Sequence, residues 1–174
     1  MTTVNKLYAE LLERGADRTT FIVGIGGGIV TDITGFVAST YMRGLRFGFV
    51  ATTLLAQVDA SVGGKNGVNY EGYKNMVGTF NQPDFVLCDL SMLQTLPDRE
   101  FRAGLAEIIK AGLIADRGLF ELFENHPIDA FRNDQSLLNE AITRAIRVKA
   151  DVVERDERES GERQIGRASC RERV

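Results

Sequence analysis

Thr19-Thr20-Phe21-Ile22-Val23-Gly24-Ile25-Gly26-Gly27-Gly28-Ile29-Val30-Thr31-Asp32 is the stretch whose reading decides the fold. Its opening, Thr19 to Val23, is β-branched and aromatic and reads as a strand. Glycines at 24, 26, 27 and 28 follow, and from residue 29 to 41 apolar residues return at helical spacing. A strand, a glycine turn and a helix in that order set free N–H groups and a positive helix end beside backbone that can approach a phosphate closely. A pyrophosphate or phosphate site is the functional reading. The spacing is not G-x-G-x-x-G, because Ile29 stands at the third glycine position. A tight turn without a ligand stays open as the alternative.

Working outward, residues 4–14 have helical spacing and Gly15 is a plausible stop. A second strand is expected over 46–51, with Thr52-Thr53 capping a helix over 54–62 that Gly63-Gly64 ends. Residues 65–83, rich in glycine and asparagine, read as loops with at most one short hairpin. A third strand fits 85–88, and from Pro97 onward the chain reads as helical. Strands that are continuously apolar and alternate with helices predict an α/β fold with a parallel sheet covered on both faces, followed by an all-helical part. The boundary is placed near residue 90, giving segments 1–89 and 90–164. Residues 165–174, ending Cys170-Arg171-Glu172-Arg173-Val174, lack apolar periodicity and read as a non-native tail.

The chain has 174 residues, is 44% hydrophobic and carries a formal charge of −3. Mild acidity argues against general affinity for nucleic acid or anionic membrane. No apolar run approaches the ~20 residues that span a bilayer, and Met1 opens no basic-then-apolar leader, so the cytoplasm is the expected location. Two cysteines and one histidine make neither a disulfide framework nor a closed Cys/His zinc site. Cys88 reads as a small buried hydrophobe, and His126, before Pro127, as a surface or capping residue.

Three further segments carry candidate chemistry. Over 103–115 the helix is apolar all round except Glu107 and Lys110, which share a face at i, i+3 and predict a buried helix. They form either an ion pair or a metal or substrate site. Lys149 falls in the apolar stripe Ile142, Ile146, Val153, where a cation needs an anion or must snorkel. The segment 57–69, with Lys74-Asn75 beyond it, sets Lys65 and Lys74 among glycines; such lysines suit phosphate or carboxylate binding, or are simply solvated.

Seven ordered motifs resemble the 3-dehydroquinate synthase family of sugar-phosphate cyclases: Gly26 to Asp32, Met42-Arg43-Gly44, Ala51 to Lys65, Lys74-Asn75-Met76, Thr95-Leu96-Pro97, Gly104 to Lys110, and Asp156 to Glu159. The match runs over about residues 4–163. It implies a lyase with an NAD-binding α/β domain and a helical domain holding a divalent metal, zinc or cobalt. The implied reaction takes 3-deoxy-D-arabino-heptulosonate 7-phosphate to 3-dehydroquinate and phosphate, in the shikimate pathway of aromatic amino acid biosynthesis. By resemblance, Gly27, Gly28, Ile29, Val30, Thr31 and Asp32 hold the cofactor pyrophosphate. Thr52 and Thr53, Lys65 and Lys74, and Met92, Leu93, Gln94 and Thr95 touch the cofactor as well. Asp59 would lie near the nicotinamide and substrate. Glu107 would be a metal ligand. Lys65, Asn75, Lys110, Lys149 and Arg163 would meet the sugar-phosphate substrate. Arg43 matches an arginine that reaches a neighbouring subunit's substrate, which implies a homodimer.

The departures are specific. The family's two histidine ligands, in a G-H-T-x-G-H segment beyond the Arg163 position, and the first strands before Val4 are not in this sequence. Thr31 stands where the family has glycine, and Glu162 replaces an apolar residue. The expectation is a fragment inactive by itself, with an exposed sheet edge. Other readings are a related cyclase, a polyol dehydrogenase of related fold, and a non-catalytic nucleotide-binding remnant.

Overall fold

A computed structural model describes residues 1–156. Arg163, Cys170 and the expected tail lie outside the described residues. The chain divides into two compact units, Met1–Ala106 and the residues from Glu107 onward; the division falls within one helix.

The first unit is α/β. Helix α1 (Thr2–Glu13) leads to β1 (Phe21–Gly26), α2 (Gly28–Thr40), β2 (Arg46–Ala51), the antiparallel hairpin β3 (Lys65–Tyr70) and β4 (Tyr73–Phe80), and β5 (Val86–Cys88). Strands β1, β2 and β5 form a parallel sheet in that order. Its register sets Gly26 beside Ala51 and Ala51 beside Cys88, so the three strands end level. Ala38 of α2 packs on Phe47 and Phe49, with Ile22 and Val86 at the edges of the cluster. A second cluster joins Val4, Phe36, Val37 and Val68, seating α1 and the hairpin on α2.

Three expectations need adjusting here. The sheet is not covered on both faces among the described residues. Phe21, Val23 and Ile25 alternate onto the face opposite α2 and are 38%, 45% and 64% exposed, with Leu87 beside them. Apolar content on both sides of a strand predicts two covers, and the described chain supplies one crossover helix. The hairpin expected within 65–83 is longer than the short one anticipated: it takes up residues 65–80, and both residues of its turn, Glu71-Gly72, are at positive φ. That is the twist a two-residue hairpin loop requires. The segment expected as a helix over 54–62 is a short helical turn centred on a π-helical stretch, Ala56–Ala60.

In the second unit, the end of α3 (Asp98–Ala115) is followed by α4 (Arg117–Asn125), α5 (Ala130–Asn133) and α6 (Gln135–Arg155). Phe131 is fully buried and stacks on Phe123 at 4.2 Å between ring centroids. Leu137, Leu138, Ala141, Ile142 and Ala145 bury the inner face of α6. Aspartates start these helices. Asp116 Oδ1 accepts from the Leu119 N–H at 3.0 Å, and Asp134 Oδ1 from those of Ser136 and Leu137 at 2.9 and 3.0 Å. His126 closes α4 as its C-cap, with Nδ1 3.0 Å from the Leu122 carbonyl. The all-round apolar sequence of α3 does not bury it all round. Leu105 and Ile108 are buried, but Leu113 and Ile114 near its end are 65% and 51% exposed.

Candidate functional site

Three of the predicted segments follow the three level strand ends. Gly27 to Asp32 continues from β1, Thr52-Thr53 from β2, and the stretch holding Met92 to Thr95 from β5. In an open parallel sheet, ligands bind outside these carboxyl ends.

Gly27 is the N-cap residue of α2 and no side chain caps the helix. The first turn is closed by Val30 and Thr31 N–H groups on the Gly27 carbonyl, at 2.9 and 3.1 Å. The glycines are there for space. A Cβ on Gly27 would lie 2.9 Å from Thr53 Cγ2, and one on Gly28 3.1 Å from the Cβ of Ala60. The glycine turn is therefore pressed onto the Thr53 and Ala56–Ala60 segments. Ile29 and Val30 turn outward, 78% and 41% exposed. Thr31, in the place of a family glycine, is fully buried and its hydroxyl donates to the Gly28 carbonyl at 3.0 Å. Its side chain is occupied by the fold.

Thr53 Oγ1 accepts from the Ala56 N–H at 3.2 Å, the cap expected of it. Gln57, fully buried, donates from Nε2 to the carbonyls of Ala51 and Asp89, each at 3.1 Å, and so fastens the ends of β2 and β5 to the π-helical stretch. Nothing in the sequence pattern marked this glutamine as a brace. Of Met92 to Thr95, only Leu93 is buried, so it can offer a ligand no more than its backbone.

Asp32, Asn75, Lys74 and Asp59 gather at one side of this edge. Asn75 Nδ2 donates to Asp32 Oδ2 at 3.3 Å. Burial pushes the Asp32 carboxyl up to about 6, with Asp59's charge adding to the rise, while the Asn75 hydrogen bond and the Lys74 charge oppose it. Lys65 opens β3 and is half-buried; Lys74 is exposed on β4. Arg43 is exposed on a loop where Met42, Arg43 and Gly44 take φ of 49°, 72° and 123° in succession. Two consecutive non-glycine residues in the left-handed region hold this arginine in strained backbone.

In the second unit, Glu107 and Lys110 form an ion pair along α3, with side chains 22% and 31% exposed. The sequence leaves open whether these charges pair or bind; in this structure they contact each other. Among the described residues no group of three His, Cys, Asp or Glu side chains is placed to hold a metal ion. Glu107 by itself does not make a metal centre. Lys149 is half-buried on α6. Cys88, half-buried with Sγ 3.9 Å from the Gln57 carbonyl, has its thiol pushed up by burial. No helix is long and apolar enough to cross a membrane among the described residues.

A family model for the N-terminal part of 3-dehydroquinate synthase matches residues 1–103, and one for its C-terminal part matches residues 104–165. The 3-dehydroquinate synthase of Nitrosospira multiformis is 53% identical over 163 residues, which are 94% of this chain and 44% of that protein. The chain thus spans about half the length of the curated relatives it matches. A 2-epi-5-epi-valiolone synthase from Streptomyces hygroscopicus, with NAD+ and Zn2+ bound, superposes with TM-score 0.87 at 31% identity, over 96% of this chain and 47% of that one. A 2-deoxy-scyllo-inosose synthase with carbaglucose-6-phosphate, NAD+ and Co2+ gives TM-score 0.81 at 29% identity, over 95% and 45%.

Proposed function

This chain belongs to the 3-dehydroquinate synthase family, and we propose from that premise that it is the part of such an enzyme that holds NAD and begins the helical substrate region. The whole enzyme would convert 3-deoxy-D-arabino-heptulosonate 7-phosphate to 3-dehydroquinate and phosphate. The observation that supports this best is the level ending of β1, β2 and β5, which carries three cofactor-type segments to one edge.

The cradle fits a dinucleotide. Gly27 and Gly28, packed on Thr53 and Ala60, open a helix with no side-chain cap, where a pyrophosphate would receive N–H groups and the helix dipole. Thr52 and Thr53 and the exposed residues of Met92 to Thr95 would line the rest. NAD, when bound, would supply reversible hydride chemistry at a ring hydroxyl carbon; the transient ketone would acidify the adjacent C–H, and loss of that proton would let phosphate leave from the next carbon.

The chain's own residues would orient the substrate. Lys65, Lys74 and Asn75 would bind its polar groups, with Asp59 close by. By the family resemblance Lys110, Lys149 and Arg163 would be further substrate-binding cations. Arg43, held in strained backbone, would reach a second subunit's substrate in a homodimer. Glu107 would give one carboxylate to a divalent cation. The described residues do not complete that ligand set.

The test is a chimera in which the 163 matched residues replace the corresponding stretch of the Nitrosospira multiformis enzyme. Phosphate release from the heptulosonate phosphate is expected. A folded, NAD-binding chimera that releases none would overturn the reading. Turnover of a different sugar phosphate would favour the related cyclases, whose folds superpose well here but at lower identity.

A further inference from the structure

We propose that Asp32 is a positioning residue: its carboxylate clasps the Asn75 side chain and so holds the Lys74-Asn75 part of the hairpin against the start of α2. The clasp joins residues 43 positions apart. One partner, Asp32, sits on a helix whose first turn is fixed by the Gly27 carbonyl. The other lies on a strand that departs from regular pairing. The β3–β4 ladder is irregular between Val68 and Tyr70, and Asn75 has a φ of 50°. Asparagine tolerates the left-handed region, and here two contacts fix it there. The Asn75 N–H donates to Asn69 Oδ1 at 2.9 Å, and its side chain donates to Asp32. One bond sets the backbone, the other sets where the side chain points.

The charge of Asp32 matters to the clasp. An ionised acceptor makes the stronger bond, and the same linkage means that Asn75 favours ionised Asp32. Lys74 and Asp59 are the charged groups whose fields reach that carboxyl, with opposite effects. The clasp's importance for catalysis rests on the reading above, in which Lys74 and Asn75 meet cofactor and substrate. Its existence does not.

The experiment is NMR on the 174-residue chain without cofactor, following the Asp32 carboxyl carbon and the Asn75 amides from about pH 4.5 to 8. The Asn75 side-chain signals are expected to move together with Asp32, with one midpoint near 6. Asn75→Ala should move the Asp32 midpoint further up by several tenths of a pH unit or more, because it removes an interaction with the charged form. Asp32→Ala should speed exchange of the Asn75 backbone N–H by about tenfold. Asp32→Asn keeps an acceptor, so it should keep the protection and lose the pH response; it also serves if the alanine variant does not fold. Asn75 signals that ignore pH, or an Asp32 midpoint that Asn75→Ala leaves in place, would overturn the clasp. Calorimetric titration with NAD+ separates the two readings. Absent NAD+ binding with the coupled titration intact would sink the cofactor reading alone, and binding without coupling would sink the clasp alone.

Discussion

Asn66 sets its side-chain oxygen in the space that a Cβ on Gly35 would fill. The approach seats the hairpin on α2, and Asn66 has no room to yield. It is 4% exposed, and its Nδ2 donates to the carbonyls of Gly64 and Asn81 at 3.1 and 2.8 Å. Gly35→Ala sets two effects against each other. Helix propensity favours alanine by about 1 kcal/mol. Overpacking and two disturbed buried hydrogen bonds oppose it with roughly 1–3 kcal/mol each. The net expectation is destabilisation of about 1–5 kcal/mol in urea unfolding. An unchanged midpoint would mean that helix and hairpin separate at little cost.

The hairpin turn is suboptimal in one residue. Glu71 has a φ of 48° and Gly72 one of 83°, between the paired residues Tyr70 and Tyr73. Glycine suits its position; glutamate does not. Glu71→Asn makes the Asn-Gly pair that such turns prefer and should stabilise the chain by about 0.5–1 kcal/mol. Thermal unfolding reads the gain, and a loss of stability would show that Glu71 has a partner worth more than its strain.

What the sequence disclosed follows from which forces are local. The strand before the glycines and the helix after them are written in side-chain type and period, and both were legible. The full extent of the hairpin was not, because its unfavourable residues are demanded by neighbours distant in sequence. A Cβ on Gly78 would strike the Asn66 carbonyl, and one on Gly67 would lie 3.3 Å from that of Val77. Two strands crossing so closely need glycine where β-propensity disfavours it. The same holds for the site. Gly27, Thr53 and Glu107 stood out by pattern or by resemblance. Gln57, which braces two strand ends, and Asn69, which holds the Asn75 backbone, are ordinary amides until the fold supplies their partners.

Asp116 serves two structures at once. It caps α4 through the Leu119 N–H and receives Arg144 of α6, whose Nε donates to Oδ2 at 2.8 Å. The Arg144 hydrogen bond, followed by the cap, holds its carboxyl below the ordinary value of 3.8. A depressed carboxyl adds stability that is present above the unfolded value and fades as pH falls through the folded one. Asp116→Asn should therefore cost stability at neutral pH, about 1–2 kcal/mol for the weakened cap and pair. The cost should shrink below about pH 4, where the wild-type carboxylate itself is lost in the unfolded chain. A cost independent of pH would assign the effect to packing instead of charge.

Asp32 has the opposite sign. Its carboxyl is pushed up to about 6 by burial, against an ordinary 3.8. Between these values the folded chain binds more protons than the unfolded one, so the Asp32 contribution to stability falls as pH rises through that window. Asp32→Asn removes the ionisation and should therefore gain stability over wild type as pH goes from about 4 to 7. Screening at this half-buried site reduces the gain to the order of 1 kcal/mol. Urea midpoints of both proteins at the two ends of the window decide it, and parallel pH curves would show that Asp32 titrates in the ordinary range. A gain from removing the charge would mean that the fold does better without it. The case for the carboxylate would then lie in what it holds, since sites that bind and orient commonly cost stability. Stabilisation by Asp32→Asn, together with loss of the pH-linked movement of Asn75, is the paired outcome expected of a clasp serving the site.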